Sequence, residues 1–429
     1  MKQTVTLAGL AVTNILLTLL LQWYVVTELG VGAETDALFA SMAVPQLILS
    51  IVSTSLTHVL VPLLTTQGEN TFQENAWTFL LSIAGLFAIL ALIFGAGASY
   101  WVPWLFPGFD RAGQELAVRL TRIQLTGVVL TASVAVLWSV SYAREKFIWV
   151  ELSPVLAGAA ALLVMSRTLP QFGIVAAAWA IVLRTALQVV MLLPALGWPR
   201  PRWRSPAIKE AWRRLRPLLL GASYYRTDSL VDRYLSSLTG TGGLSLFYIS
   251  QQIYGVANYV LEKAIAAPMV PLLAQKASAG DWASFRAAFH RRLFWMGLLT
   301  IAGYGLFILI GESALTLLIG RGGVTRGNVH TLWILMIALA GFLIGGAMGQ
   351  ITSSTFYAMG DTQTPTRLSV INYTVYIPFK FVAFMRYGLI GLAVVTTLYY
   401  FVNLLVQIVL LERLNLRKMH MHSMREGMI

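Results

Sequence analysis

The side chains with the most chemistry to offer lie inside apolar stretches. Ser223-Tyr224-Tyr225-Arg226-Thr227-Asp228-Ser229-Leu230-Val231-Asp232-Arg233 puts two arginines and two aspartates into one short run. On a helix turning about 100° per residue, Arg226 and Arg233 fall within about 20° of each other, and Asp228 and Asp232 within about 40°. A basic strip beside an acidic one suits an anionic headgroup such as a phosphate, which the planar guanidinium fork grips, with aspartate tuning the charge or carrying a proton or sodium ion. The same groups also suit pairing with one another. Arg119 and Arg122 are neighbours at i, i+3, and Arg184, Glu262, Lys263, Glu312 and Lys380 complete the set. An ionisable group deep in an apolar span costs several kcal/mol, so it faces a cavity, finds a partner or snorkels to the interface. GxxxxGK[ST], HExxH and GxSxG do not occur. A transporter is therefore expected rather than an enzyme, with no catalytic residue, no metal site and no cofactor.

What must position these groups is a membrane bundle. Of the 429 residues 57% are hydrophobic and 11% charged, against about a quarter charged in an ordinary soluble domain. A spanning helix needs about 20 mostly apolar residues. That rule predicts about twelve, roughly 5–27, 37–64, 76–102, 116–142, 147–166, 172–196, 217–238, 244–273, 289–319, 329–358, 366–385 and 387–411. The first does not read as a signal peptide: its apolar part is too long, only Lys2 precedes it, and Glu28 to Asp36 offers no convincing small-residue cleavage site. Without cysteine there is no disulfide framework and no thiolate metal site.

The 31 Lys and Arg against 18 Asp and Glu give a net charge of +13. These bases fall between apolar runs rather than in one patch, so membrane lipids, and not nucleic acid, are the expected partners. With alternate loops on opposite sides, one side collects most bases, among them Lys2, Arg144, Arg213, Lys276, Arg291, Arg367 and Arg417. The other collects little beyond Arg111, Arg167, Arg321, Arg326 and Arg386. Both termini are then expected in the cytoplasm. The most basic segment, 197–216, separates an N-terminal lobe (1–196) from a C-terminal lobe (217–411), and a basic tail (412–429) follows. Pro199, Pro201 and Pro206 break the linker's first part, while Trp212, Leu215 and nearby arginines suit a short helix on the anionic leaflet. Sliding one half over the other places Val61-Pro62-Leu63-Leu64 on Val270-Pro271-Leu272-Leu273 at one offset and Tyr142-Ala143 on Tyr357-Ala358 at an offset six residues larger, which calls for an insertion in the second half, with the glycine-rich 320–328 as candidate. Six spans per repeat predict a parallel pseudo-two-fold: an all-α polytopic membrane protein of two six-helix lobes around a central cavity. Gly341, Gly345, Gly346 and Gly349 in the tenth span invite close helix packing.

Gly30-Val31-Gly32-Ala33-Glu34-Thr35-Asp36-Ala37-Leu38-Phe39-Ala40, then Pro45 and Val61-Pro62, form one motif set. Val231-Asp232-Arg233 through Tyr248 with Val270-Pro271-Leu272 forms a second. Phe356-Tyr357-Ala358-Met359-Gly360-Asp361-Thr362-Gln363-Thr364-Pro365 and Gly388-Leu389-Ile390-Gly391-Leu392-Ala393 complete the pattern. Together they resemble the MurJ/MviN family of lipid-linked precursor flippases, in the superfamily that also holds polysaccharide and multidrug exporters. The resemblance implies two lobes that alternate between inward-open and outward-open states and move an undecaprenyl-diphosphate-linked sugar across a bacterial inner membrane. It also matches Asp36 and Asp232 to acidic positions of the family.

Departures from the family pattern sharpen the expectation. Leu21-Gln22 stands where the family places a cavity-facing Arg-Asp or Arg-Glu pair, Ile15 replaces an earlier arginine, and Leu49 and Ser50 replace two more. Gln251-Gln252 stands in place of an Asp-Arg. The family has about fourteen spans, and the pair associated with a lipid-tail groove is not among the twelve expected here. The candidate substrate-binding residues are thus Arg226, Asp228, Asp232, Arg122, Asp36, Gln22 and Gln252. The cargo is expected to be a peptidoglycan precursor or another lipid-linked glycan. A cation-coupled multidrug-type antiporter and a non-transporting scaffold are the competing readings.

Overall fold

The computed structural model describes residues 2–198, 201–202 and 206–426. Residues 199–200 and 203–205 of the expected linker, with Pro199, and the end of the basic tail lie outside the described residues. Every regular element among the described residues is a helix. Apolar runs this long leave no alternative in a bilayer, where the backbone must satisfy its own hydrogen bonds.

One compact unit comprises Met1–Ser245 with Gly322–Val324. It holds α1 (Lys2–Leu29), α2 (Ala33–Ser41), α3 (Ala43–Thr65), α4 (Glu69–Ala96), α5 (Ala98–Leu105), α6 (Arg111–Ala143), α7 (Phe147–Phe172), α8 (Ile174–Leu192), α9 (Pro206–Arg226) and α10 (Asp228–Ser237). The second unit comprises Leu246–Arg321 with Thr325–Ile429. Here α11 (Gly243–Leu261), which begins just before the unit does, runs through a π-helical turn (Glu262–Ala266) into α12 (Ala267–Ser278). Then come α13 (Trp282–Ile319), α14 (Arg326–Ala338), α15 (Ala340–Ala358) and α16 (Gln363–Glu426). The last is two helices joined at a kink, with Gly388 at φ 58°. Among the described residues eight helices are long and apolar enough to cross a membrane, or nine if α14 and α15, bent by 44°, count as one span.

Local chemistry explains the boundaries. Asp110 accepts from the N–H of Gly113 at 2.8 Å to start α6, and Asp281 accepts from the N–H of Ser284 at 3.0 Å to start α13, both N-caps. The turn between α7 and α8 uses Gly173 at φ 60°, which a side chain would strain. The expected seventh span is interrupted at Thr227, whose hydroxyl donates to the Tyr224 carbonyl at 2.7 Å. Arg226 therefore ends α9 while Asp228, Asp232 and Arg233 belong to α10. The basic strip thus crosses a joint, whereas the two aspartates share a helix.

In the first unit α6 is the central post, packed against α2, α3, α4 and α8. Leu60, Phe79, Val136, Leu137, Ala211 and Leu215 meet in its core. Leu215, expected at the membrane surface, instead packs inward with α9 against α3, because it shares a face with Ala211 one turn earlier; Trp212 stays exposed. The end of α1 is held by the returning segment 322–324, where the N–H of Gly323 donates to the Thr27 carbonyl at 2.9 Å. A Cβ on Gly323 would stand 2.5 Å from the Gly30 nitrogen, so the two backbones touch.

Phe285, Phe289, Met296, Ile351, Phe356 and Leu411 form the core of the second unit. The glycines of α15 serve the expected close approach: a Cβ on Gly341 would lie 2.4 Å from the Thr397 carbonyl oxygen, and one on Gly345 3.1 Å from the Tyr400 backbone. Gly349 faces open space. Tyr142-Ala143 and Tyr357-Ala358, aligned by the sequence repeat, are the last residues of α6 and α15 respectively.

Candidate functional site

The first unit encloses a cavity of about 270 Å³ between α1, α2, α3, α6, α7 and α8. Its polar wall is built at helical spacing. Asn14, Thr18 and Gln22 lie one turn apart on α1, and Arg184, Thr185 and Gln188 share a face of α8. Gln46 of α3 and Gln124 and Thr131 of α6 close the ring, while Leu21, Phe39, Trp138 and Met165 supply apolar wall. Neutral amides thus dominate, with one cation.

That cation is half-buried. The Arg184 guanidinium donates through Nη2 to Asn14 Oδ1 at 2.5 Å, and its Nε finds no acceptor among the described residues. Gly158 leaves room for it, since a Cβ there would come within 3.5 Å of Nε. Arg233, buried on α10, donates through Nη2 to Gln46 Oε1, so an arginine also stands behind the wall at α3. Gln124 Nε2 reaches only weakly, at 3.5 Å, toward the Ala178 carbonyl. The cavity therefore offers amide oxygens and N–H donors in both polarities together with one guanidinium.

Of the residues singled out in the sequence, Gln22 lines this cavity and is buried. Asp36 lies elsewhere in the unit. Its carboxylate accepts from the N–H of Gly242 at 2.6 Å, the N–H of Ser245 at 2.7 Å and the hydroxyl of Ser245 at 2.6 Å, and Thr35 Oγ1 also sits 3.0 Å from that hydroxyl. These are charge-assisted bonds at the start of α11, where helix N–H groups lack intrahelical acceptors. Gly242 adopts φ 92°, and a Cβ there would meet Val31 at 2.6 Å. Arg122 is exposed and reaches the end of α4, donating to the Gly95 carbonyl at 3.1 Å and Ser99 Oγ at 3.0 Å. Arg226 and Asp228 are part-buried on either side of Thr227, Asp232 is buried on α10, and Gln252 is part-buried on α11 in the second unit. Of these residues, Gln22 alone is among those lining the cavity.

Sequence reasoning passed over Asn14, Gln46, Gln124 and Gln188, and noted Arg184 only as a charge within the sixth expected span. The available signal was amides recurring at turn spacing inside apolar runs. Lys380 was noted only as a charge within the eleventh expected span. That lysine is fully buried in the second unit, its Nζ 4.9 Å from the Tyr376 ring centre. The Tyr376 hydroxyl meets Thr396 Oγ1 at 2.8 Å, and one turn earlier Asn372 donates to Asn403 at 2.9 Å. A polar and aromatic seam thus joins the two halves of α16.

Several charges toward the helix ends are paired. The hydrogen bond from Arg214 holds the Glu210 carboxyl below its usual range, with Arg213 assisting. Glu412 accepts from Arg286 at 2.8 Å and lies 2.5 Å from His290 Nε2. No group of three His, Cys, Asp or Glu that could hold a metal occurs among the described residues.

A family model described as lipid II flippase MurJ matches residues 25–425. The probable lipid II flippase MurJ of Vibrio cholerae is 22% identical over 94% of this chain and 81% of its own. The lipid II flippase MurJ of Burkholderia cenocepacia is 23% identical over 86% of this chain and 75% of its own. Among solved structures, a lipid II flippase MurJ in an inward closed conformation superposes with a TM-score of 0.84 at 15% identity, covering 95% of this chain and 87% of that one. An inward-facing multidrug transporter of the MATE family gives 0.79 at 17% identity, covering 97% and 95%. Both share the polytopic helical fold.

Proposed function

The chain belongs to the lipid II flippase MurJ family, and from that premise we propose that it moves a lipid-linked peptidoglycan precursor, a polyprenyl-diphosphate-linked glycan, across a bacterial inner membrane. The observation that carries this reading is the family match across residues 25–425. Transport proceeds by alternating access, exposing the first unit's polar cavity first to one side of the membrane and then to the other, with both termini in the cytoplasm.

Size decides what the cavity takes. At about 270 Å³ it falls at the lower edge of the roughly 300–1,000 Å³ typical of small-molecule pockets, so it receives the end of the headgroup nearest the lipid rather than a whole glycopeptide. The Arg184 guanidinium, which lines the cavity, supplies the positive charge for a phosphate. Gln22, Gln46, Gln124 and Gln188 offer amide N–H donors to phosphate oxygens and amide carbonyls to sugar hydroxyls. A largely neutral wall removes the polar group from water without gripping it by a cluster of charges, which suits a site that must also release its cargo. Arg226 contributes further positive charge, and Asp228 or Asp232 carries a coupling proton or sodium ion.

The test has two arms. Bacteria depleted of their own lipid II flippase and given this chain should keep growing. Vesicles reconstituted with it should deliver a fluorescent lipid-linked glycan to the outer leaflet. Arg184→Met and Gln22→Leu, with normal expression, should slow that delivery. Ion-coupled efflux of cationic drugs without glycan movement would replace the reading with a multidrug antiporter.

A further inference from the structure

A second concavity lies on the outer face of the first unit, a groove of about 550 Å³ between α7 and α8 lined almost wholly by apolar atoms. Its floor is made by small or buried residues, Ala176, Ala180 and Val182, and its rims by Val164, Phe172 and Trp179, which stand 40%, 67% and 50% exposed. From Val175 to Ala186 the α8 side of the groove runs about 16 Å at the helical rise per residue. Large rims over an alanine floor shape a trough rather than a flat lipid-facing surface.

Val182 also lines the amide cavity, so the polar and apolar sites share a wall one side chain thick. The cavity face of that wall is tight, because a Cβ on Gly127 of α6 would already touch Val182 at 3.4 Å. Two residues further along α8 stands Arg184, the one cation lining that cavity, its guanidinium held by Asn14 through Nη2 while Nε lies buried beside Gly158 without an acceptor. An apolar trough backed by a polar pocket with one guanidinium is complementary, in charge and polarity, to an amphiphile with one hydrocarbon chain and a phosphate at its end.

We infer that this paired site holds a single-chain anionic amphiphile: the α7–α8 groove seats the lipid-proximal part of the cargo's polyprenyl chain while its phosphate lies in the cavity beside Arg184. The inference rests on the flippase reading and gives it a place for the tail. Translocation then keeps the chain against α7 and α8 throughout, and only the polar end changes sides. Movement of the Val182 side chain links the two compartments.

Photolabelling of the full-length protein in nanodiscs tests it with three diazirine probes: a polyprenyl phosphate, the matching polyprenol and a phosphatidylglycerol. The polyprenyl phosphate should label 164–186 about tenfold more than the phosphatidylglycerol. Ala180→Phe, which fills the floor, should abolish that preference. Phe172→Ala, which lowers a rim at an exposed position and leaves packing intact, should reduce it if Ala180→Phe fails to fold. Arg184→Gln should weaken labelling by the phosphate probe and leave polyprenol labelling unchanged. Equal labelling by phosphatidylglycerol, labels spread evenly over the lipid-facing helices, or indifference to all three substitutions would overturn the inference. Glycan delivery measured on the same preparations separates the two claims. Intact delivery without groove labelling removes the groove alone, and groove labelling without delivery removes the flippase reading.

Discussion

Asp36→Ala should be among the most damaging single substitutions in the chain, and its cost can be worked from the bonds lost. The carboxylate accepts three short hydrogen bonds, from the N–H groups of Gly242 and Ser245 and from the Ser245 hydroxyl, and is 3% exposed. Truncation leaves both buried N–H groups without an acceptor, at about 1–3 kcal/mol each, while the hydroxyl keeps Thr35 as neighbour. The sum is about 2–6 kcal/mol. Asp36→Asn retains one carbonyl oxygen for Ser245 but turns an NH₂ toward the Gly242 N–H, so its cost should fall to about 1–3 kcal/mol. Hydrogen exchange at residues 242–246 reads this locally, and thermal unfolding in detergent reads it globally. The order should be Ala worse than Asn, with exchange accelerated at least tenfold for Ala, the factor that about 1.4 kcal/mol sets. Unchanged exchange at Gly242 and Ser245 in Asp36→Ala would show that the carboxylate does not hold the start of α11, and the reasoning would fall.

Gly341→Ala should lower the unfolding temperature markedly, because its Cβ would stand 2.4 Å from the Thr397 carbonyl oxygen and backbone cannot yield without opening α15 from α16; overpacking of this kind costs about 1–3 kcal/mol or more. Gly349→Ala, with nothing within 4 Å of its Cβ, should be neutral in the same assay. Glu412→Gln should cost only about 1 kcal/mol, since His290 is exposed and Arg286 partly so, and a larger loss would mean these partners do more than a surface pair. Burial pushes the Asp361 carboxyl up, but bonds from Thr364 and Gln363 and the charge of Arg367 outweigh it and hold it below the usual range. Its stabilisation is then complete above the unfolded value near 3.9 and is lost as pH falls through the lower folded value. Asp361→Asn should flatten that acid limb in a pH-resolved unfolding series.

The helices were legible because length and apolarity leave a membrane segment only one backbone solution. Their breaks were less so. Gly173 and Gly388 announce themselves as residues tolerant of positive φ, whereas Thr227, Met42 and Leu339 interrupt helices without glycine or proline. Leu215 was misplaced because its helix was read as a surface element, and only packing against α3 shows which of two adjacent faces is inside. Asp36 was legible through the family motif, but its partners lie 206 and 209 residues away, beyond any local pattern. The cavity was hardest. Asn14, Gln46, Gln124 and Gln188 are each unremarkable amides, and they form a site only when α1, α3, α6 and α8 come together. The family's missing cavity arginines drew attention to charge at Gln22 and Gln252, when the more informative property of Gln22 was its polarity among other amides.

The segment 322–324 closes against the end of α1 although about three quarters of the chain precedes it. During synthesis α1 to α10 can insert and pack early, since domains tend to form in order from the N-terminus. The Thr27 carbonyl, however, must wait for its Gly323 partner until most of the second unit has been made. A nascent chain stopped short of that loop would lack the bond that ties the end of α1 to residues 322–324.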